Sequence, residues 1–321
     1  MLVTGGAGYI GSHVVRLLGE RGDDVVVVDD LVTGDRNRIP GIPLIEMDLA
    51  LSSAPELLAA VMREHNVDRA IHFAGRKQVG ESVARPAWYF QQNVGSLANL
   101  LLAMEQVQVT QIVFSSSAAV YGTSEGAALR EDTLRHPLNA YGETKLIGEW
   151  LLSDAVCAFE LRACSLRYFN VAGSGWPELG DTAALNLVPM VFERLDQGLA
   201  PLIFGDDYDT VDGTCVRDYI HVADLAEAHL AALDSLAGGI ARHDAYNVGT
   251  GLGSSVRDMV EEILRVSGMD IPAEVRERRA GDPAIVVADP TAIFSAIGWT
   301  AQRGLVDIVQ SAWDSHLLLK S

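Results

Sequence analysis

Cysteine and basic residues are both scarce in this chain of 321 residues. It has 24 lysines and arginines against 43 aspartates and glutamates, so its formal net charge is -19. Such a surplus of acid argues against nucleic acid or an anionic membrane as a partner, because both repel a negative surface. The three cysteines, Cys157, Cys164 and Cys215, are odd in number and form no Cys-x-x-Cys pair. We therefore expect neither a disulfide framework nor a zinc site, and no other metal site.

Long apolar runs are missing as well. No uninterrupted run approaches the roughly 20 residues that span a bilayer. The first residues carry no basic segment followed by a leader-type apolar stretch. Both observations favour a cytoplasmic protein. Hydrophobic residues nevertheless make up 49% of the chain, which is enough for a substantial core in one large domain or two unequal ones.

What the chain does have is a regular alternation of strand and helix patterns. Short apolar, β-branched runs predict strands at 2–4, 25–28, 43–47, 69–74, 111–115 and 162–169. Between them, helical patterns lie around 14–18 and near 52–64, 86–107 and 141–159. Units of this length and order predict an α/β fold with a doubly wound, parallel sheet of the Rossmann type.

The alternation becomes irregular after about residue 170. Helical patterns resume near 183–197, 222–236, 255–267 and 304–319. We therefore predict a Rossmann domain over residues 1–170 and a smaller C-terminal α/β domain over residues 171–321. Segments near 219–248, in particular 219–222 and 245–248, are expected to return to the main sheet.

A glycine-rich turn follows the first strand and opens the first helix. Gly5, Gly6, Gly8 and Gly11 satisfy Gly-x-Gly-x-x-Gly counted from Gly6, and Gly-x-x-Gly-x-x-Gly counted from Gly5. Glycine permits a tight turn, a close approach of backbone to pyrophosphate, and close packing of helix on strand. The helix N-terminus adds amide donors and a favourable dipole. The turn therefore predicts a dinucleotide site.

Two aspartates, Asp29 and Asp30, end the next strand. A carboxylate at this place accepts hydrogen bonds from the adenosine ribose and repels a 2′-phosphate. No arginine follows directly. The sequence therefore favours NAD over NADP as the dinucleotide.

Tyr141 and Lys145 lie four residues apart in a helical pattern, so they share one helix face. A nearby ammonium stabilises a phenolate and lowers the pKa of the phenol, and the positive nicotinamide ring of NAD would act in the same direction. A tyrosine in this setting is suited to act as a base on a hydroxyl. The strand before this helix ends in a run of serines, from Ser115 to Ser117. Side chains at the carboxyl end of a parallel strand face the ligand crevice.

In this order, the glycine turn, the acid, the serine and Tyr-x-x-x-Lys resemble the extended branch of the short-chain dehydrogenase/reductase family. Further segments, spread over nearly the whole chain, resemble the signature segments of the UDP-galactose 4-epimerases of that family. These segments are His72-Phe73-Ala74-Gly75, Lys77, Val79-Gly80-Glu81-Ser82, Asn93, Ser115 to Tyr121, Tyr168-Phe169-Asn170 and Val216-Arg217-Asp218-Tyr219-Ile220-His221.

The resemblance implies roles for residues of the first domain. Ser117 would be the catalytic serine, Tyr141 the base and Lys145 its electrostatic partner. NAD would be the bound cofactor. The residues implied to bind it are Gly5, Gly8, Tyr9, Ile10, Gly11, Asp29, Asp30, Asp48, Leu49, Phe73, Ala74, Gly75, Lys77, Asn93, Ser115, Tyr141, Lys145 and Tyr168.

The resemblance also implies a UDP-sugar substrate, bound largely by the second domain. Arg217 and Arg279 match arginines that hold the UDP pyrophosphate, and Asp282 matches an acid on the uridine ribose. An arginine fork on phosphate makes strong, charge-assisted bonds, which explains how an acidic protein can hold an anion. The residues implied to bind substrate are Lys77, Ser117, Tyr141, Asn170, Asn186, Leu187, Phe204, Arg217, Arg279, Asp282 and Val286.

The implied reaction is reversible C4 epimerisation of UDP-glucose and UDP-galactose through a 4-keto sugar, with NAD tightly bound. A UDP-glucuronate or UDP-pentose 4-epimerase stays open as an alternative. A nucleotide-sugar dehydratase or decarboxylase would carry an acid beside the catalytic hydroxyl, where this chain has Ala118 and Ala119. Relatives that act as NAD-bound sensors or RNA-binding proteins typically lose the tyrosine or the lysine, and both are present here.

Two finer expectations follow from the same resemblance. In the family, the residue four positions after the ribose-binding acid walls the sugar pocket, and here it is Val286. Valine is smaller than the tyrosine that restricts some relatives, so UDP-N-acetylhexosamines are expected as further substrates. The family usually forms homodimers through two long helices, for which 86–107 and 141–159 are the candidates.

Overall fold

The computed structural model describes residues 1–122, 128–238, 243–279 and 281–320. The strands are β1 (Leu2–Thr4), β2 (Val26–Asp29), β3 (Leu44–Glu46), β4 (Ala70–His72), β5 (Gln111–Ser115), β6 (Arg162–Tyr168), β7 (Asn170–Ala172), β8 (Leu202–Phe204), β9 (Val216–His221), β10 (His243–Val248), β11 (Gly253–Ser255), β12 (Glu274–Arg276) and β13 (Ile285–Val286). The α-helices are α1 (Tyr9–Arg21), α2 (Ala54–Glu64), α3 (Val79–Ala84), α4 (Pro86–Val107), α5 (Ala140–Phe159), α6 (Leu187–Asp196), α7 (Val222–Ala237), α8 (Val256–Ser267), α9 (Thr291–Ile297) and α10 (Leu305–Lys320).

Seven parallel strands form the main sheet, in the order β10-β6-β5-β4-β1-β2-β3. Alternate side chains of β1 point to opposite faces, so Val3 packs with α1 and α7 while Leu2 packs with α2, α4 and α5. Both faces of the sheet are therefore buried, as parallel sheets require. The order 3-2-1-4-5-6 is that of a dinucleotide-binding Rossmann sheet, here extended by β10. The predicted fold class is confirmed.

The second sheet is built around β9. This strand pairs with β7, β11 and β13, and β8 pairs separately with β12. Residues 245–248 do join the main sheet, through β10 beside β6. The prediction that 219–222 returns there is wrong. The edge beyond β6 is occupied by β10, and β9 lies in the second sheet. After β9 the chain returns to the Rossmann core, first as helix α7 and then as β10.

The two regions meet above the carboxyl ends of the main strands. Tyr9 at the start of α1 donates a hydrogen bond to Gly173 O, at 2.6 Å, and His13 Nε2 accepts one from Gly175 N, at 3.0 Å. Arg38 donates to the carbonyl oxygens of Leu179 and Gly180. These contacts hold the segment that follows β7 against the glycine turn. None of the described helices is long and apolar enough to cross a membrane.

Candidate functional site

The glycine turn leaves no room for larger residues. A Cβ atom on Gly5 would lie 2.6 Å from Ala74 N, and one on Gly11 would lie 2.3 Å from Gly5 O. Gly5 also has a positive φ of 70°, a conformation that favours glycine. Helix α1 begins at Tyr9, and its N-cap residue, Gly8, has no side chain to cap the first amides. The turn therefore presents main-chain N–H groups to a cleft, in the arrangement that binds pyrophosphate.

This dinucleotide cleft runs along the carboxyl ends of the main strands. Most of the residues predicted to bind the cofactor line it: Gly5, Gly8, Tyr9, Ile10, Gly11, Asp29, Asp30, Asp48, Leu49, Phe73, Ala74, Gly75, Lys77, Tyr141, Lys145 and Tyr168. The structure thus brings together residues from the ends of five strands and from helix α5 that are far apart in the sequence.

Asn93 and Ser115 lie behind the wall of the cleft. The Asn93 side chain accepts a hydrogen bond from Arg76 N, at 2.7 Å, and donates to Arg76 O, at 3.0 Å. Ser115 Oγ donates to the Tyr168 hydroxyl, at 3.0 Å. In this structure both residues position the wall of the cleft, so the predicted contact with the cofactor would run through Arg76 and Tyr168.

Sequence reasoning missed several other lining residues. Arg76 and Gln92 line the cleft beside Asp30, and Arg38 lines it near the glycine turn. Arg76 lies within the signature segment between Gly75 and Lys77, so its position could have drawn attention to it. The segment 181–183 and Leu185 also line the cleft; the sequence placed the last of these in a helical pattern and pointed to no ligand contact for any of them.

The three residues predicted to be catalytic, Ser117, Tyr141 and Lys145, are brought together by close packing of α5 on the turn after β5. A Cβ atom on Gly142 would lie 2.5 Å from Ala119 O, so only glycine lets the helix approach this turn so closely. Asn139 caps α5 by accepting from Gly142 N, at 2.9 Å. As a result Ser117, at the start of the turn, hydrogen-bonds the side chain of Tyr141.

Lys145 lies one helical turn beyond Tyr141. Its Nζ donates to Ser115 O, at 2.7 Å, and lies 5.9 Å from the centre of the Tyr141 ring. Burial lowers the pKa of Lys145 to about 8. The ammonium is therefore held by the main chain at the end of β5, near the Tyr141 ring.

The predicted lowering of the Tyr141 pKa does not hold for the protein alone. Burial raises the pKa of Tyr141 above its usual value, with a smaller contribution from Tyr168, and the hydrogen bond with Ser117 opposes this rise only in part. The enclosed phenol is neutral near pH 7. A cation in the cleft, such as a nicotinamide ring, would be needed in addition to Lys145 to favour the phenolate.

A buried ion pair lies behind the turn that follows β5. The Arg167 guanidinium bonds both carboxylate oxygens of Glu149, at 2.8 and 2.6 Å. Glu149 also accepts from Ser116 Oγ, at 2.6 Å, and Arg167 donates to the Tyr121 hydroxyl, at 2.8 Å. These bonds fix the residues on both sides of Ser117.

A second cavity, the arginine pocket, opens between α6 and the second sheet. Seven of the residues predicted to bind substrate line it: Asn170, Asn186, Leu187, Phe204, Arg217, Arg279 and Asp282. Arg217 Nη2 lies 3.7 Å from Asp282 Oδ1, and the Arg279 guanidinium stacks on Phe204, with Cζ 3.9 Å from the ring centre. Leu185 lines this pocket and the dinucleotide cleft, so the two cavities adjoin.

Val286, unlike the other residues predicted to bind substrate, is not among the residues that line the arginine pocket or lie at the dinucleotide cleft. It lies on β13 opposite Arg217 in the register of β9, and it packs in one apolar cluster with Ala118 and Phe169. It is only partly buried. The remaining residues predicted to bind substrate, Lys77, Ser117 and Tyr141, lie at the dinucleotide cleft or beside it.

These features define a class of protein. A Rossmann sheet with this glycine turn, and with Ser117, Tyr141 and Lys145 at the carboxyl edge of the sheet, has the architecture of a short-chain dehydrogenase/reductase. The arginine pocket adds a second cavity, with arginines in its lining, beside the dinucleotide cleft.

The relatives of the chain agree with this class. Residues 1–249 match the NAD dependent epimerase/dehydratase family. A UDP-glucose 4-epimerase of Azospirillum brasilense is 45% identical over 325 residues, which cover 99% of this chain and 92% of the relative. The chain therefore belongs to the NAD-dependent epimerase/dehydratase family, and the predicted resemblance is confirmed.

Two solved structures are similar over their whole length. One is a UDP-glucose 4-epimerase of Stenotrophomonas maltophila with bound NAD and formylated UDP-arabinopyranose, with a TM-score of 0.93, 38% identity, and coverage of 99% of this chain and 98% of that one. The other is a UDP-Glc/GlcNAc 4-epimerase of Campylobacter jejuni, with a TM-score of 0.86, 36% identity, and coverage of 99% and 98%.

Proposed function

We propose that this chain is a cytoplasmic, NAD-dependent UDP-glucose 4-epimerase, which interconverts UDP-glucose and UDP-galactose. The observation that carries the proposal is the position of Tyr141. Its phenol is hydrogen-bonded to Ser117 and lines the dinucleotide cleft, which adjoins the arginine pocket. One acid–base group therefore serves a site with room for a dinucleotide and a second anion.

The residues present fit NAD. Gly5 and Gly11 leave space that a Cβ atom would fill, the amides at the start of α1 suit a pyrophosphate, and Asp29 stands where the adenosine ribose is bound in this fold. When bound, NAD supplies a reversible hydride acceptor. Lys145 would lie at the nicotinamide end, because it shares the cleft wall with Tyr141 and Tyr168.

The protein's own part in the reaction is to move one proton. With NAD bound, Tyr141 as phenolate would accept the proton of the sugar 4-hydroxyl through the hydroxyl of Ser117, and the hydride on C4 would leave to the cofactor. The carbonyl formed at C4 is flat and can be reduced from either face. Since the hydride would return from the same side of the site that accepted it, the sugar must present its opposite face before Tyr141 returns the proton. This change of face inverts C4.

The arginine pocket holds the rest of the substrate. Arg217 and Arg279 would neutralise the diphosphate, and Asp282 would accept from the uridine ribose. Because these contacts lie on the nucleotide, the sugar itself can rotate while the substrate stays bound. Beside Ser117 stand Ala118 and Ala119, which cannot supply the additional acid or base that a dehydratase needs.

The activity is tested directly by product analysis. The purified protein is incubated with UDP-galactose, without added cofactor, and UDP-glucose is separated by anion-exchange chromatography. We expect conversion towards the same mixture that is reached from UDP-glucose. A protein that converts UDP-glucuronate or a UDP-pentose, but neither hexose, would instead be an epimerase of the alternative substrates.

We also propose that UDP-N-acetylglucosamine and UDP-N-acetylgalactosamine are substrates. Val286 pairs in register with Arg217, which lines the arginine pocket, and packs against the same apolar cluster as Ala118, the residue after Ser117; its small side chain would leave room for an N-acetyl group. The similarity to the Campylobacter jejuni UDP-Glc/GlcNAc 4-epimerase supports this range.

Replacing Val286 with tyrosine tests the substrate range. Val286→Tyr should remove turnover of the N-acetyl sugars and retain turnover of UDP-galactose, by steric exclusion of the larger group. Val275→Tyr, the same change at an exposed position of β12, is the matched control and should retain both. A parent protein that converts UDP-galactose but neither N-acetyl sugar would contradict the proposal.

A homodimer formed through α4 and α5 is our proposal for the assembly. The two helices pack against each other, and Leu102 of α4 and Trp150 of α5 each remain 54% exposed. Apolar side chains of this size favour burial against a second copy. Light scattering should give twice the mass of one chain for the parent and the mass of one chain for Trp150→Glu. Val211→Glu, a change on an exposed loop, is the control and should behave as the parent does. A monomeric parent would contradict the proposal.

A further inference from the structure

The adenosine end of the dinucleotide cleft contains an arginine, Arg76, to which the sequence analysis assigned no role. Arg76 follows Gly75 after β4, and its side chain is only 14% exposed. Its Nη2 donates to Asp30 Oδ2, at 2.5 Å, and to Gln92 Oε1, at 2.9 Å. The guanidinium also lies 5.5 Å from the Trp88 ring. Three neighbours therefore hold a cation at the end of β2.

The two aspartates at this strand end have different hydrogen-bond partners. Asp29 is 7% exposed, and its two oxygens accept from Ala7 N, at 3.0 Å, and Leu31 N, at 2.9 Å. The backbone thus fixes Asp29, which lines the cleft as the ribose acceptor would. Asp30 instead directs one oxygen to Arg76, and both residues of that pair line the same cleft.

In Rossmann folds an acid at this place selects NAD, whereas a nearby arginine accommodates the 2′-phosphate of NADP. This chain has both features side by side. We propose that Asp30 sets the choice of NAD by occupying Arg76, and that Arg76 is a latent binding group for the 2′-phosphate of NADP. The inference rests on the proposed use of NAD and concerns a further property of the same site.

The local charges explain why the pair decides the choice. Asp29, Asp30 and Arg76 together carry one net negative charge, which repels a phosphate dianion on the ribose. Without the negative charge of Asp30, the net charge of this group is zero. The guanidinium of Arg76 then gains free N–H donors close to the ribose. Charge-assisted bonds from arginine to phosphate are strong and geometrically specific. Asp29 stays in place and still favours NAD, so affinity for NADP should rise without replacing that for NAD.

The test compares Asp30→Asn, Arg76→Leu and the double variant with the parent. Each purified protein is incubated with equal, excess NAD and NADP, and the retained nucleotides are extracted and separated by chromatography. Thermal stabilisation by each nucleotide gives a second measure of binding, independent of turnover. We expect Asp30→Asn to raise the retained NADP:NAD ratio by about tenfold or more, the size of one charged hydrogen bond. Arg76→Leu should not raise it, and the double variant should lose the gain.

Other outcomes would overturn the proposal. If the gain persists in the double variant, removal of the negative charge alone explains it and Arg76 is not a phosphate ligand. If Asp30→Asn and the second variant Asp30→Ser both retain the parent ratio, Asp30 does not restrain Arg76. A parent that retains no NAD and is not stabilised by it would contradict the proposed function itself, which distinguishes that failure from one of this inference.

Discussion

Replacing Arg217 with alanine tests the assignment of the arginine pocket. The side chain is 13% exposed, and its Nη1 is committed to Val216 O, at 2.8 Å. Its Nη2 lies 3.7 Å from Asp282 Oδ1, beyond hydrogen-bonding distance, so it can reach a phosphate oxygen without breaking a strong contact. One charge-assisted bond contributes about 1.5–3 kcal/mol. Arg217→Ala should therefore weaken UDP binding by roughly 10- to 150-fold.

The assay is calorimetric titration with UDP, together with KM for UDP-galactose. Arg217→Lys should recover part of the loss, because it keeps the charge but not the planar fork. Arg278→Ala is the matched control, since Arg278 pairs with Asp207 and stacks on Tyr208. We expect it to bind UDP almost as the parent does. Equal losses of UDP and NAD binding in Arg217→Ala would mean that this arginine acts through the fold and not on the substrate.

Two further predictions concern the core. Glu149→Gln should lower the free energy of unfolding by about 3–5 kcal/mol in urea denaturation, because it leaves the buried Arg167 charge uncompensated; a loss below about 1 kcal/mol, the usual size for a surface pair, would contradict this account. Burial lowers the pKa of His229 to about 4, and its Nε2 has no hydrogen-bond partner among the described residues. The unfolded chain binds this proton below about pH 6.5, so stability is lost as pH falls from there towards 4. Over that pH range, the free energy of unfolding of His229→Phe should fall by about 3 kcal/mol less than that of the parent, as measured by unfolding at each pH. An unchanged pH dependence of stability would exclude His229 as a cause.

The helices of the chain could be predicted closely where local chemistry marks their ends. Helix α4 spans Pro86–Val107, as predicted, because proline suits the first turn and apolar residues recur at helical spacing up to Val107. Helix α6 begins later than predicted, at Leu187, because Asn186 has extended backbone. Residues 183–186, which the sequence placed in the same helical pattern, lie outside the helix and line the dinucleotide cleft and the arginine pocket.

The remaining differences depend on tertiary neighbours. The apolar pattern of a strand does not indicate which other strands it pairs with, so the sequence could not reveal that β9 belongs to the second sheet. The pairing of Arg76 with Asp30, 46 positions away in the chain, is visible only in the folded structure. The raised pKa of Tyr141 likewise follows from burial, whereas its spacing from Lys145 predicted the opposite shift.

The most direct test of the account is the turnover of Tyr141→Phe. Loss of the phenol oxygen should lower kcat for UDP-galactose by about 10²- to 10⁴-fold, the usual contribution of a positioned acid–base group. Retained NAD and calorimetric UDP binding should stay near the parent values, and Tyr246→Phe, which removes a hydroxyl bonded to Asp244 on β10, should keep its turnover. A Tyr141→Phe protein that epimerises at nearly the parent rate would contradict the assignment of Tyr141 as the group that moves the proton.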